Sequence, residues 1–474
     1  MKNIVVLVMS TFNDNPRQTL VKSDAGEFRT IHTNETSIRY IEKTLPKGER
    51  INKIYVLTTE AVRKCMKDDL KYRNISEKAR ELSHFECFKN LLNCKEEFYP
   101  IKVDKENGNE AKNYYKQFRK SPTEKVKYSI KSIKLEEDSK AFLNCLYQIL
   151  QELRDNNFDK ETTNIHIDTT GGFRYTAMIM LTLSQLLNYN GYNLSRSKML
   201  YSKYDMDKNT ITVEDINPMT NLFTLVGGAN DFAMFGNTAQ LKNFFRDRQT
   251  NNKHVVFKKV LTSMENFSEA IKRCVYYDYV LECLFELKDS VLNFKKKYEN
   301  QYKNNDIESA FNMLLPRIEE EYKSILPIEE SLKSLSSDKY KYMTKIINWC
   351  CAKKFVQQAL TFYTEWIPIY LLNQKVVLTN KKIKATCEKS RQSYDPWEKE
   401  FFKSYALDCK NIKSNYTEEE YREIVEEYSE LIKIRNEINH AHTDNISNFS
   451  YEQQNEALLS RIEESIKLID KSLA

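Results

Sequence analysis

Glycine disappears from this chain after position 236: all nine glycines lie at or before Gly236, and the remaining half has none. A glycine-bearing first half suits strands and tight βα turns, whereas a glycine-free second half suits helices. Other scarcities narrow the reading further. The ten cysteines contain no CxxC pair, and Cys350 and Cys351 are adjacent rather than spaced for a metal. They read as reduced core residues of a cytoplasmic protein, not as zinc ligands or a disulfide frame. No run of eighteen apolar residues occurs, and the apolar start NIVVLVM is too short and unflanked for a signal peptide, so no membrane association is expected. Charge of one sign is not in large excess. Lys and Arg total 73 against 67 Asp and Glu, a net +6 that permits a nucleic-acid substrate without implying one. Histidine is scarce as well, six in all, and two of the six fall within three residues of each other, at His440 and His442.

The 474 residues suffice for two or three domains with sizeable cores. The glycine asymmetry places the boundary between about Gly236 and Lys258. Residues 1–240 are expected to form an α/β domain, 241–258 a linker and 259–474 an all-α domain. In the first half, Asn3–Met9 is a nearly continuous apolar run, as in a strand buried on both faces of a parallel sheet. It ends at Ser10-Thr11, and a polar loop is expected to follow through Thr33. A helix from about Asn34 precedes a second strand, Lys53–Leu57, that ends at Thr58-Thr59. Phe98–Val103 reads as a third strand. Residues 104–138, highly charged and weakly patterned, read as a solvated insertion. Ala141–Leu153 is an amphipathic helix, and Ser197–Tyr201 and Thr210–Ile216 are two further strands. This alternation is that of a Rossmann-like, mostly parallel sheet with helices on both faces.

The informative piece of that half is Asn164–Met180: a short strand (NIHID), a glycine turn (TTGG) and a long apolar helix. It puts Thr169, Thr170, Gly171 and Gly172 at a helix N-terminus, where backbone N–H groups and the helix dipole attract anions. Arg174, one turn on, has the reach to meet a phosphate. Ligands of open α/β sheets gather outside the carboxyl ends of the strands. The ends Ser10-Thr11, Thr58-Thr59 and Asp168-Thr169-Thr170 would converge on that rim. His166, alternating with Ile165 and Ile167, reads as a core histidine. His32 and His84 carry no supporting pattern.

The second half reads as helices from Val260 to Leu473, with breaks or kinks expected at Pro316, Pro327 and Pro368. Basic clusters at Lys295–Lys297 and Lys381–Lys384 read as solvated faces. Near the end of this half stands LIKIRNEINHAH, Leu431–His442. Ile424, Tyr428, Leu431, Ile434, Ile438 and Ala441 recur at three- and four-residue spacing and make one apolar stripe. Arg435, Asn439 and His442 lie along one edge of it, with Asn436 and His440 on the neighbouring strip. An Arg beside an apolar stripe calls for an anionic partner. Histidine transfers protons near neutral pH, and Arg is a permanent cation shaped for phosphate. The two suit RNA cleavage by the 2′-hydroxyl, one assisting proton transfer while the other steadies the charge on the phosphoryl oxygens, with no metal required. A second pair at that spacing, Arg248…His254, lies in an Asn-rich connecting segment without apolar period and is set aside.

An α/β domain with a phosphate-type turn followed by an all-α domain carrying RNEINH resembles the CARF–HEPN ribonucleases that accompany type III CRISPR systems, of the Csm/Csx kind. DTTGGFR at Asp168–Arg174 is similar to the strand-turn-helix motif of the CARF sensor. Arg435-Asn436…His440 matches the HEPN signature of Arg, four to six residues, then His. The resemblance implies a first domain that binds a cyclic oligoadenylate, tetra- or hexa-adenylate, across a two-fold axis. It also implies a helical domain that, as a homodimer stimulated by this activator, cuts single-stranded RNA without metal or cofactor, leaving a 2′,3′-cyclic phosphate and a 5′-hydroxyl. By position Arg435 and His440 would be the catalytic pair, with Asn436 holding His440 or the phosphate. His442 also satisfies the spacing and is better aligned with Arg435, so the choice of histidine stays open. Ser10, Thr11, Thr58, Thr59, Asp168, Thr169, Thr170, Gly171, Gly172 and Arg174 would line the sensor pocket. The first strand ends in MSTFND rather than a glycine turn, so ring size is not carried over. Some relatives also cut their own activator slowly in the sensor domain. The alternative function is a nucleotide-responsive regulator whose helical half binds a partner or nucleic acid without cleaving it.

Overall fold

A computed structural model describes residues 1–67, 69–93, 98–102, 110–118, 128–135, 142–172, 175–192, 194, 196–246, 255–298, 307–327, 339–375, 377–379, 381–390, 396–404, 413–414, 416–439 and 451–471. The chain divides into two compact units, Met1–Asn221 and Leu222–Ala474. Among the described residues no helix is long and apolar enough to cross a membrane.

The first unit runs β1 Lys2–Val8, β2 Thr19–Ser23, β3 Gly26–Thr30, α1 Thr33–Thr44, β4 Ile51–Thr58, α2 Glu60–Arg63, a 3-10 turn at Leu70–Asn74, α3 Glu77–Arg80 and α4 His84–Leu92. It continues with α5 Glu110–Lys116, β5 Ile130–Lys134, α6 Phe142–Asp155, β6 Thr163–Asp168, α7 Thr176–Tyr189, β7 Met199–Asp205 and β8 Thr210–Asp215. The strands form one eight-stranded sheet in the order β3-β2-β8-β7-β6-β1-β4-β5. The block β7-β6-β1-β4-β5 is parallel throughout, while β8 runs antiparallel to β7 and β3 antiparallel to β2. β1 is central because its apolar run satisfies two buried faces at once. Val5 and Leu7 face a core shared with α1 and α4, and Ile4, Val6 and Val8 face one shared with α6 and α7. From β1 the chain visits the β3-β2 edge, crosses through α1 to β4 and β5 on the opposite side of β1, and then returns to β6. The carboxyl ends of β1 and β6 are therefore the switch point of the sheet.

Three expectations for this unit need correction. The loop between Ser10 and Thr33 contains a hairpin, β2–β3, turned by Asp24-Ala25-Gly26 with Gly26 at φ 93°. Phe98–Val103 contributes no strand to the sheet; Ile101 makes only an isolated bridge to Ile75, and Val103 lies outside the described residues. The edge strand comes instead from within residues 104–138, as β5, where Ile133 is buried against α6 and Lys131 pairs with Glu152 of that helix. That region is also no mere solvated insertion. Tyr114 of α5 donates its hydroxyl proton to Glu35, which is itself buried and paired with the buried Arg39 at 3.2 Å. Arg39 also donates to the carbonyls of Leu91 and Leu92 at the end of α4. A buried ion pair with its remaining protons satisfied thus fastens α4 and α5 to α1.

The second unit is helical. It consists of α8 Asn217–Phe235, whose first turn precedes the division, α9 Ala239–Arg246, α10 Val255–Lys272, α11 Tyr277–Tyr298, α12 Ile307–Tyr322, α13 Lys341–Ala352 and α14 Val356–Asn373. Then come a two-residue strand β9 Val377–Leu378, α15 Lys381–Ser390, α16 Trp397–Ser404, its antiparallel partner β10 Lys413–Ser414, α17 Glu418–Asn439 and α18 Tyr451–Lys471. The division falls ahead of the expected linker. Leu225, Ala229 and Phe232 of α8, with Leu241 and Phe245 of α9, are buried in the helical core, so residues expected to close the α/β domain and to start the linker belong to the second unit. Pro316 and Pro368 sit inside α12 and α14 without ending them. Cys283, Cys350, Cys351 and Cys387 are buried free thiols of this core.

Candidate functional site

Two places carry chemistry, one in each unit. In the first unit the switch point is built around a residue that periodicity alone does not single out, Asn34. It lies in the first turn of α1, fully buried, capped by His32, whose Nδ1 accepts the Asn34 N–H. Its amide Nδ2 donates to the carbonyl of Val8, at the end of β1, at 3.1 Å and to Asp168 Oδ2, at the end of β6, at 2.8 Å. Its Oδ1 accepts the Ser10 N–H at 3.1 Å. One side chain therefore ties the ends of the two central strands together and starts the loop beyond β1.

Asp168 is the acceptor that this arrangement needs. Its Oδ1 takes the Thr170 N–H at 3.0 Å and the Thr170 hydroxyl at 2.5 Å. Burial pushes its carboxyl above the ordinary aspartate range, against the downward pull of hydrogen bonds from Thr170, Asn34 and Ser37. Asp168 consequently builds the rim from inside. Thr169 does the same, buried and bonded to the Leu200 carbonyl through both N–H and hydroxyl. Thr58, also buried, pairs with Ser132 and accepts from Arg63 Nε at 2.9 Å, while Thr59 starts α2 without a side-chain cap. Of the expected ligand contacts, Ser10, Thr11, Thr170 and Gly172 retain exposure. Arg174 lies outside the described residues.

Gly171 and Gly172 explain why no side chain stands at this turn. A Cβ on Gly171 would come within 2.0 Å of the Val8 carbonyl oxygen, and Gly172 has φ 89°, with a Cβ position 2.5 Å from Val8 Cγ1. The turn presses its backbone onto the end of β1 and leads into α7, whose N-cap residue, Tyr175, supplies no side-chain hydrogen bond to that helix end. Backbone close to a helix N-terminus at a switch point suits an anion.

The loop after β1 is gripped from its far side by two histidines that the sequence did not mark. His32 donates from Nε2 to the Ser10 carbonyl at 3.1 Å, since its Nδ1 is already an acceptor. His84 Nδ1 accepts the Phe12 N–H at 3.0 Å, and Phe12 lies against both imidazoles. Burial lowers both rings to about 4. For His32 the neighbouring His84 adds to this against the Ser10 bond, and for His84 Lys71 adds to it against Asp69. His166 is the satisfied core histidine expected, accepting the Lys198 N–H at 3.1 Å and lowered to about 4 by burial.

In the second unit, α17 buries Tyr421, Ile424, Val425, Tyr428 and Leu431 and then leaves the core. Ile434 is partly covered, Arg435 is half-buried, and Asn436 and Ile438 are exposed. The anionic partner that Arg435 requires is Glu365 of α14, 2.7 Å from Nη1, with Thr364 Oγ1 at 3.4 Å. The second oxygen of Glu365 accepts Lys399 Nζ of α16 at 2.7 Å. Two cations thus share one carboxylate, leaving a net positive cluster, and Arg435 Nε is enclosed without a partner among the described residues. Sequence reasoning missed Glu365, although a signal was present: it is the one charged residue in the eighteen of α14. His440 and His442 lie outside the described residues.

Two outcomes follow. Asp168→Asn turns an NH2 group toward either Asn34 Nδ2 or the Thr170 donors, so two donors face each other. The urea midpoint at pH 7 should fall by the equivalent of about 1–3 kcal/mol, and an unchanged midpoint would contradict the tie. Histidines near 6.5 when unfolded and about 4 when folded leave the unfolded chain binding more protons between those values. Stability should therefore be full above pH 6.5 and be lost as pH falls toward 4. Urea midpoints across that window check the slope, and a flat profile between pH 6.5 and 5 would contradict it.

No family model matches the chain, and no curated protein matches it. Among solved structures it is similar to Enterococcus italicus Csm6 bound to cyclic hexa-2′-fluoro-hexa-dAMP, at 10% sequence identity over 99% of this chain and 94% of that one, with a TM-score of 0.39. A likeness this loose assigns neither ligand nor activity.

Proposed function

We propose that the chain is a nucleotide-gated endoribonuclease, with a CARF-type sensor in the α/β unit and a HEPN-type nuclease in the helical unit. The observation that carries it is the Gly171-Gly172 turn lying against the end of β1 at the sheet's switch point, where only backbone can approach. An extended polyanion fits such a rim, with Ser10, Thr11 and Thr170 beside the turn. A cyclic oligoadenylate is the ligand that the DTTGGFR resemblance implies.

The nuclease half of the reading rests on the sequence RNEINH, Arg435–His440, whose Arg435 and Asn436 stand near the end of α17. The Arg435–Glu365–Lys399 cluster holds a guanidinium in place while keeping net positive charge, which suits the pentacoordinate phosphate formed when a 2′-hydroxyl attacks. His440 or His442 would exchange protons with the attacking and leaving oxygens, and Asn436, exposed on the neighbouring strip, would orient the histidine or the phosphate. A second copy of the chain would bring a second such helix end to the same RNA, giving a homodimeric enzyme of single-stranded RNA that needs no metal.

Cleavage of a fluorogenic single-stranded RNA in EDTA, with cyclic tetra-adenylate, cyclic hexa-adenylate or neither, tests this. The expected result is stimulation by one ring and loss of cleavage in either His440→Ala or His442→Ala, which also names the catalytic histidine. Ring binding without cleavage would overturn the nuclease assignment in favour of a ligand-responsive regulator, and no ring binding would overturn the sensor.

A further inference from the structure

A cavity beside the start of α14, in the second unit, is walled by aromatic rings. Phe235 at the end of α8, Phe267 of α10, Trp349 of α13 and Phe355 just before α14 enclose about 70 Å³, and Lys272 and Gln358 also line it. Trp349 stands edge-on to Phe267 at 5.9 Å and to Phe355 at 5.7 Å. Its indole N–H is already given to the Glu321 carbonyl at 3.1 Å, so it offers the cavity only its ring. Phe235 is 60% exposed. A lone exposed Phe needs no explanation, but one at an aromatic cavity with polar groups beside it does.

Such a space suits the flat, polar-edged ring of a nucleobase, which stacks on aromatic side chains. Gln358 brings a carboxamide, whose donor and acceptor match a base edge. One ordered water needs about 10–15 Å³ of such space, so the cavity takes a flat ring and leaves sugar and phosphate outside. Lys272 and its neighbour Arg273 are exposed there. Lys272 pairs with Glu269 at 3.7 Å, an exposed and therefore weak pair that leaves its ammonium free to turn to a phosphate.

The occupant follows from what adjoins the cavity. Gln358, Thr361 and Glu365 are three and four residues apart on α14, so they share one side of it, and all three are partly exposed. Cys274, beyond the end of α10, bonds Thr361 on that side. Glu365 is the carboxylate that holds Arg435 and Lys399. The seven residues from Gln358 to Glu365 span about 10 Å, roughly three stacked nucleotides at about 3.4 Å each. We propose that the cavity seats one unpaired base of the RNA strand whose phosphate lies at Arg435, and so helps set where along the strand the cut falls. A free aromatic molecule would gain nothing from the cations at the far end of the strip, whereas a strand gains from both.

The inference rests on the RNA reading above, but its test needs no cleavage, so the two fail separately. Single-stranded RNA that is 2′-O-methylated throughout has no attacking hydroxyl and reports binding alone. Phe235→Ala and Gln358→Ala, neither at a fully buried position, should each weaken its binding to the full chain about tenfold with the far-UV circular dichroism unchanged. Met313→Ala on α12, a residue 69% exposed, should leave binding unaltered. 2-Aminopurine placed at each position of the strand in turn should change its fluorescence on binding at one position or more, and Phe235→Ala should abolish that change. A wild-type chain that does not bind the strand, equal affinities in wild type and both variants, or a 2-aminopurine signal that is the same in Phe235→Ala would overturn the proposal.

Discussion

Asn34 and Asp168 meet at 2.8 Å where β1 and β6 end, and the first unit's rim depends on that buried bond. Parallel strands leave a crevice where the chain departs in opposite directions, and nothing in the sheet ladder itself fixes how the departing loops lie. Here one amide spans the gap and one carboxylate completes it. The cost of burying Asp168 is offset by four donors: Asn34, the Thr170 N–H, the Thr170 hydroxyl and Ser37. With the strand ends locked, Gly171 can sit against the Val8 carbonyl at a distance that no other residue tolerates. The neutral His32 and His84 then hold the β1 loop from behind, so that Ser10 and Thr11 stand at the rim in a fixed position.

The helical unit uses a half-buried carboxylate in a comparable way. Glu365 interrupts an otherwise neutral α14 and places its carboxylate where Arg435 emerges from the core. Lys399 on its other oxygen prevents full neutralisation. The result is a guanidinium held in place by one carboxylate that it shares with a second cation, so the cluster keeps net positive charge for a phosphate.

Much of this was legible in the residues, for identifiable reasons. β1 announced itself because buried parallel strands tolerate continuous apolar runs, β6 because NIHID leads directly into a glycine turn, and α17 because Ile424, Tyr428 and Leu431 keep a strict period. The hairpin β2–β3 and the edge strand β5 were not read, because edge strands bury few residues and intersperse them with lysines. The IKSIK of β5 is indistinguishable by composition from the charged loop around it. The start of the helical unit was misplaced because Gly227, Gly228 and Gly236 count toward the glycine-bearing half, whereas Gly227 and Gly228 lie inside α8 and the second of them lets Leu241 approach to 3.0 Å of where a Cβ would be. Asn34 and Glu365 were missed for another reason. Their partners lie 134 and 70 positions away, a distance over which local periodicity carries no information.

If a ligand at the rim of one unit controls chemistry at the end of α17 in the other, recognition and cleavage must be separable. The most direct measurement is ring affinity by calorimetry beside ring-stimulated RNA cleavage, both on Arg435→Ala. A gated ribonuclease gives unchanged affinity with cleavage lost by two orders of magnitude or more, on the order of 3 kcal/mol of transition-state stabilisation. Undiminished cleavage in Arg435→Ala would contradict the assignment of the helical unit as the nuclease.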